Sequence, residues 1–140
     1  MSGRRIPAAL RALVHQRADG CCEYCHIHED DVLAPHEPDH IVAEQHGGPT
    51  TADNLAFSCY HCNRHKGTNL ASVDPATCQS VFLFHPRRDN WTEHFRLEGA
   101  RIVPLTPSAR ATATLLNFNA RPRLEFREIL TLVGRFPCGS

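Results

Sequence analysis

Two Cys-x-x-Cys pairs constrain the fold of this chain more than any other feature of its sequence. Cys22 and Cys25 form the first pair, and Cys59 and Cys62 form the second, with residues 26–58 between them. Four thiolates in two such pairs are the usual ligands of a structural zinc ion, which binds them as a tetrahedron. The sequence therefore predicts a structural Zn²⁺ site that joins two distant segments.

The size and composition of the chain fit one globular domain. Its 140 residues lie within the usual range of a single domain, and 41% hydrophobic with 21% charged residues is ordinary for a soluble globular protein. We therefore expect one domain over residues 1–140, with a core motif at 22–67 and a C-terminal elaboration at 78–136.

The N-terminal residues do not resemble an export signal. Arg4 and Arg5 precede a short apolar run, but Arg11 interrupts that run and no small-residue cleavage site follows. No apolar run approaches the roughly 20 residues needed to cross a bilayer. We therefore expect a soluble, cytoplasmic protein without a membrane partner. Its seven cysteines are expected to be thiolates and metal ligands, not a disulfide framework, with Cys21 as a buried unpaired thiol.

The net charge does not identify a nucleic-acid-binding protein, because basic and acidic residues number 15 each. Residues 1–70 carry 6 basic and 9 acidic side chains (net −3), and residues 71–140 carry 9 and 6 (net +3). Such a weak charge asymmetry is typical of solvated surface. The alternative interpretation is a row of arginines in the second half of the chain that contacts nucleic-acid phosphates.

The region of the cysteine pairs predicts two short strands and one helix. The β-branched residues after Asp39 predict a strand at 39–43, and a second strand is predicted at 54–57. Ser58 is a suitable N-cap for a helix at 59–66, and Gly67 is a suitable αL terminator. The predicted order is strand, loop, strand, helix.

The flanking segments predict further helices and strands. They are a helix from Pro7 to about 19–20, a linker around Pro75, a strand at 81–84, a hairpin of 91–97 with 100–105, and helices at 106–116 and 122–133. Together with the central region, they predict an α+β fold.

The residues beside the cysteine pairs include a base and two oxygen ligands. His40 is mostly neutral at pH 7 and can accept a proton from water. The carboxylate of Asp39 and the amide oxygen of Asn63 are hard ligands that can together hold one Mg²⁺. A regular strand would direct Asp39 and His40 to opposite faces, so a shared site requires a bend, which Pro38 favours.

The whole ordered pattern resembles the HNH endonucleases, which have a ββα-metal fold. The motifs that carry this resemblance cover about a third of the chain and are Cys22-x-x-Cys25, Asp39-His40-Ile41-Val42, Gly47-Gly48, Asp53-Asn54-Leu55 and Cys59-x-x-Cys62-Asn63-x-x-Lys66-Gly67. The resemblance implies a zinc-stapled ββα-metal core, to which the N-terminal helix, the C-terminal β-hairpin and the C-terminal helices are added.

The resemblance also implies a role for individual residues. His40 would be the general base, and Asn54 would hydrogen-bond the loop backbone and fix that base. Asp39 and Asn63 would hold the catalytic ion. Many members have histidine where this chain has Asn63, and an amide oxygen there favours Mg²⁺ or Mn²⁺. His65 and His61 are the alternatives to Asn63 as ligand.

The predicted function is metal-dependent hydrolysis of phosphodiester bonds in DNA. Lys66 is predicted to contact a phosphate, and its alternative is a solvated lysine favoured by the helix dipole. Because the motif recognises phosphates and not sugars, an RNA endonuclease with the same site is one alternative function. A non-catalytic, zinc-stapled nucleic-acid-binding module is the other.

Overall fold

The computed structural model describes residues 6–139. Arg4 and Arg5, which precede the short apolar run at the N-terminus, lie outside the described residues. The regular elements are, in chain order, α1 (Ala8–Ala18), β1 (Glu37–His40), β2 (Leu55–Ser58), α2 (Tyr60–Lys66), β3 (Ala71–Val73), β4 (Ser80–Phe82), α3 (Trp91–His94), β5 (Phe95–Glu98), β6 (Arg101–Pro104), α4 (Pro107–Leu115) and α5 (Arg121–Leu132). This mixture of helices and antiparallel hairpins confirms the α+β prediction.

The central hairpin and the helix after it have the predicted ββα order. Strand β1 pairs antiparallel with β2, and His40 lies opposite Leu55 in the register. The strand predicted at 39–43 lies two to three residues too late in the chain. Regular pairing ends at His40 because the backbone of Val42 bonds to the side chain of Asn54 and not to a strand.

The start of α2 corrects the predicted cap. Cys59, not Ser58, is the N-cap, and its Sγ accepts a hydrogen bond from the N–H of Cys62 at 3.4 Å. Ser58 belongs to β2 and is buried. Gly67 ends the helix with φ 54° and ψ −132°, which lies outside the predicted αL region. The second cysteine pair is thus part of the helix start itself.

The C-terminal elements largely follow the sequence prediction. The two last helices are confirmed, with Thr106 capping α4 through the N–H of Ala109. The hairpin of β5 and β6 is present, but the strand predicted at 91–97 begins only at Phe95, because residues 91–94 form α3, which Asn90 caps. The linker around Pro75 was predicted without structure, but residues 71–73 form β3 and pair with β4. A strand of three residues is too short to produce a detectable alternation in the sequence.

The main hydrophobic core draws on both parts of the chain. Tyr24 and Ile41, from the motif region, share a cluster of buried side chains with Phe84, Phe95 and Ile102 of the C-terminal part. The indole N–H of Trp91 also donates to the carbonyl of Tyr24 at 2.9 Å. That the chain forms a single domain stays a prediction, and this shared core supports it.

The pairing of Cys21 corrects the prediction of an unpaired thiol. Cys21 forms a disulfide with Cys138, and the N–H of Cys138 donates to the carbonyl of His26 at 2.9 Å. The sequence could not indicate this bond, because the two cysteines are 117 positions apart. Separately, none of the helices within residues 6–139 combines the length and apolar character required to span a membrane.

Candidate functional site

The four cysteines of the two pairs converge in the core as predicted. The Sγ atoms of Cys22, Cys25, Cys59 and Cys62 all lie within 4.8 Å of one another, and all four residues are buried. The Sγ atoms of Cys25 and Cys59 are 3.7 Å apart. A tetrahedron with Zn–S bonds of about 2.3 Å has sulfur atoms about 3.8 Å apart. The cluster therefore fits a structural zinc ion.

The environment of this cluster favours a bound cation. Burial, followed by hydrogen bonds with neighbouring thiols, raises the pKa of Cys22 and Cys62 well above the usual value, whereas hydrogen bonds from the other three thiols lower the pKa of Cys25. Four buried thiolates together are therefore unfavourable unless a positive charge compensates them. The guanidinium of Arg123, which is only 8% exposed, lies 3.3 Å from the Sγ of Cys62 and 3.9 Å from that of Cys59. This contact has no local signal in the sequence.

A loop of residues 41–54 connects β1 to β2 and is closed by Asn54. The side chain of Asn54 accepts from the N–H of Val42 at 2.9 Å and donates to the carbonyls of Val42 and Pro49 at 3.0 and 2.8 Å. Only glycine fits at position 48, beside these hydrogen bonds, because a Cβ atom there would lie 1.7 Å from the carbonyl oxygen of Val42. These contacts hold the loop after His40 in a closed conformation.

His40 ends β1, and its ring lies under this loop. Its Nε2 is 2.9 Å from the hydroxyl oxygen of Thr50, and its Nδ1 is buried without a hydrogen-bond partner among residues 6–139. His40 is 3% exposed, so its ring is less accessible to water than a general base in an open site would be. Thr50 was not singled out from the sequence because threonine in a loop is common.

The side chain of Lys66 reaches the end of β1 from α2. Its Nζ is 3.3 Å from the carbonyl oxygen of His40 and 4.0 Å from Oδ2 of Asp39. At 2% exposure, Lys66 is not the solvated lysine that was the alternative interpretation. Burial raises the pKa of Asp39 and lowers that of Lys66, while each charge partly offsets the shift of the other. A cation therefore already neighbours Asp39.

The orientation of α2 determines whether Asn63 can face Asp39, the other predicted oxygen ligand. Asn63 and Lys66 are three positions apart, so they share one face of the helix. The contacts of Lys66 with β1 indicate that this face is directed toward Asp39. The side chain of Asn63 makes no hydrogen bond within residues 6–139, and the residue is half-buried. Asn63 thus shares the helix face of Lys66, and its role as a metal ligand stays a prediction.

His61 and His65 lie on another side of α2. Both line an apolar cavity of about 710 Å³, together with Val32 and Phe126. Asp39 and His40 do not line this cavity. The structure thus separates these two histidines from the end of β1, and Asn63 remains the predicted ligand.

Comparison with protein families bears directly on this region. Residues 22–69 match the family model described as HNH endonuclease. This match confirms the resemblance that the motifs suggested, and it covers about a third of the chain. We refer to residues 22–69 as the HNH segment. Comparison with curated proteins and with solved structures gives no match.

The HNH segment contains every residue predicted for the site. It includes the complete cysteine cluster, the closed loop and the helix face of Asn63 and Lys66. The family points to a nuclease or to nucleic-acid binding. Arg123 and the residues of the C-terminal part that pack against this segment lie outside the family match.

Proposed function

We propose that the protein is a metal-dependent endonuclease that hydrolyses phosphodiester bonds of DNA, with His40 as the general base. The observation that carries this proposal is the closed loop, in which Asn54 fixes the backbone directly after His40. A base must be held in place before it can act on a bound water. The three hydrogen bonds of Asn54 supply that restraint.

The hydrogen bond to Thr50 suggests which ring nitrogen is the base. If Nε2–H of His40 donates to the hydroxyl of Thr50, the neutral ring has its lone pair on Nδ1. Nδ1 then takes a proton from water, the resulting hydroxide attacks phosphorus, and the bond from phosphorus to the departing 3′ oxygen breaks. That oxygen receives a proton from solvent. Because His40 is buried, the loop must open for water and substrate to reach Nδ1.

Asp39 and Asn63 are the residues proposed to hold the catalytic ion. Their carboxylate and amide oxygens are the donors that Mg²⁺ and Mn²⁺ prefer. When bound, such an ion supplies positive charge to the scissile phosphate and the departing oxygen. Lys66 is proposed to contact a phosphate, or to hold Asp39 in place, from its buried position beside that carboxylate.

Cleavage of supercoiled plasmid tests the proposal. We expect nicking by the wild type with Mg²⁺ or Mn²⁺, and a loss of about 10² to 10⁴ in rate for His40→Ala. The zinc content of His40→Ala should match that of the wild type, and cooperative unfolding should verify that it folds, with a lower melting temperature because a buried side chain is removed. Because EDTA also removes zinc, Asp39→Asn is the better test of the catalytic ion. No cleavage in any divalent metal would overturn the proposal.

A zinc-stapled binding module without catalysis is the second candidate. Two observations favour it, namely the burial of His40 and the cation of Lys66 beside Asp39. This candidate predicts that nucleic acid binds but is not cut, and that His40→Ala binds as well as the wild type. If cleavage occurs, matched DNA and RNA strands of one sequence distinguish a DNA endonuclease from an RNA endonuclease.

We also propose a cytoplasmic location, as the sequence predicted. The disulfide between Cys21 and Cys138 bears on this proposal, because such bonds usually form in oxidising compartments. Mass spectrometry of protein alkylated at the moment of cell lysis measures the fraction that is bonded. A free thiol at Cys21 in cells would agree with a cytoplasmic location. A complete disulfide between Cys21 and Cys138 in cells would argue against that location.

A further inference from the structure

A cleft of about 270 Å³ lies where the HNH segment meets the C-terminal part of the chain. One wall includes Ile41, Val42 and Lys66, and the other includes His85 and Arg88. Ile41 directly follows His40 in the sequence, and Lys66 contacts the carbonyl of His40. The cleft is therefore next to the candidate catalytic residues but has one wall outside the family match.

The wall outside the HNH segment is a tight turn of residues 85–89. Nδ1 of His85 accepts from the backbone N–H groups of Arg87 and Arg88, both at 3.2 Å. Oδ2 of Asp89 accepts from the N–H of His85 at 2.9 Å, so this carboxylate is used within the turn. Arg87 forms an ion pair with Glu23, which ties the turn to the HNH segment.

This turn leaves two donor groups available at the cleft. Because Nδ1 of His85 is an acceptor, the ring proton is on Nε2, which has no hydrogen-bond partner among residues 6–139. Arg88 is exposed, and its guanidinium makes neither a hydrogen bond nor an ion pair within the same residues. Burial lowers the pKa of His85, followed by the positive charge of Arg88, while the negative charge of Asp89, which also lines the cleft, partly offsets this shift. The cleft thus presents two free donors beside a carboxylate that is already hydrogen-bonded to the backbone of His85.

We propose that this cleft binds a backbone phosphate of the nucleic acid next to the scissile bond, with Nε2–H of His85 and the guanidinium of Arg88 as donors. This inference rests on the proposed nucleic-acid function of the HNH segment. A guanidinium can donate two hydrogen bonds to a phosphate, and contacts of this kind position a strand without reading its sequence. At about 270 Å³, the cleft is smaller than the usual pocket for a whole small-molecule ligand, and it suits one backbone unit.

The test measures binding separately from cleavage. Fluorescence anisotropy of a labelled DNA duplex and of the matched single strand is recorded over a salt series, with every protein carrying His40→Ala. Arg88→Gln is compared with Arg101→Gln, which removes the same charge from an exposed position of β6 away from the cleft. Zinc content and melting temperature verify that both variants fold.

We expect Arg88→Gln to weaken binding roughly tenfold, as the loss of a charge-assisted hydrogen bond would. The slope of log K against log salt should fall by about one for every sequence tested, and Arg101→Gln should change neither quantity. His85→Asn, which keeps an acceptor for the turn, should produce a smaller loss. Inorganic phosphate should compete only at concentrations far above those of DNA.

The possible results separate this inference from the proposed function. Equal binding by the Arg88 and Arg101 variants overturns the cleft inference and leaves the cleavage proposal intact. Selective loss of binding in Arg88→Gln, together with a wild-type protein that cuts no substrate in any divalent metal, supports the cleft and overturns the endonuclease proposal. Binding of inorganic phosphate without any binding of DNA or RNA overturns the nucleic-acid interpretation of the cleft.

Discussion

Arg123 donates from its guanidinium to the Sγ of Cys62 at 3.3 Å, across 61 positions of sequence. The same side chain donates to the carbonyls of Leu116 and Asn117 at 2.5 and 3.2 Å. A zinc ion with four thiolates has a net charge of −2, and a buried guanidinium offsets part of that charge. Arg123 thus connects α5 to the predicted metal centre.

Replacing Arg123 by glutamine should weaken zinc retention. Partners of metal ligands typically contribute about 10- to 100-fold to metal affinity, and this one also supplies charge. We expect faster transfer of zinc from Arg123→Gln to a colorimetric chelator than from the wild type. Arg121→Gln is the matched control, since Arg121 is in the same helix but is exposed and paired with Glu125. Equal transfer rates for the two variants would contradict the role given to Arg123.

Removal of the zinc ion should unfold the HNH segment. Structural zinc supplies roughly 10–16 kcal/mol in small peptides, which is comparable with the whole stability of a domain. We expect Cys59→Ser, or treatment with a strong chelator, to abolish cooperative thermal unfolding measured by circular dichroism. Cys78→Ser is the control, because Cys78 is an exposed free thiol outside the cluster. Cooperative unfolding of metal-free protein at the wild-type temperature would argue against a structural role for zinc.

Loss of the Asn54 side chain should open the loop after His40. Asn54→Ala leaves the N–H and the carbonyl of Val42 without their partners, and each buried group without a partner costs about 1–3 kcal/mol. We expect a lower free energy of unfolding in urea and a loss of plasmid cleavage. Asn90→Ala, which removes an exposed cap from α3, is the comparison. Cleavage at the wild-type rate by Asn54→Ala would show that the loop does not position His40.

The ion pair of Asp74 and Arg110 should make stability depend on pH at the acidic end. Hydrogen bonds from Arg110 lower the pKa of Asp74 from 3.8 to about 2, since its carboxylate accepts at 2.9 and 2.8 Å. A lowered pKa contributes stability above pH 3.8 that is lost as the pH falls through about 2. The difference in unfolding free energy between the wild type and Asp74→Asn should therefore shrink from pH 5 to about pH 2. A constant difference over that range would contradict this assignment.

Much of the central region was predictable because its information is local in the sequence. The spacing within each cysteine pair specifies the zinc ligands, and their convergence in the core agrees with that prediction. Proline and threonine at the start of α4 and glycine within the hairpin of β5 and β6 are local signals of the same kind. Each of these features depends on residues that are only a few positions apart.

The features that were missed depend on tertiary packing. Arg123 contacts the Sγ of Cys62 because α5 packs against the second cysteine pair, and Cys21 bonds to Cys138 because the residues after α5 return to the segment before the first pair. Lys66 is predicted to contact a phosphate, with a solvated helix-end lysine as the alternative, but the helix lies against β1 and buries its side chain. Each of these contacts joins residues that are far apart in the sequence, so local patterns do not predict them.

The bond between Cys21 and Cys138 encloses most of the chain in one covalent ring. A protease that cuts a single exposed turn inside this ring therefore leaves both fragments in one molecule. The nicked protein would migrate as one species in a gel without reductant and as two fragments with it.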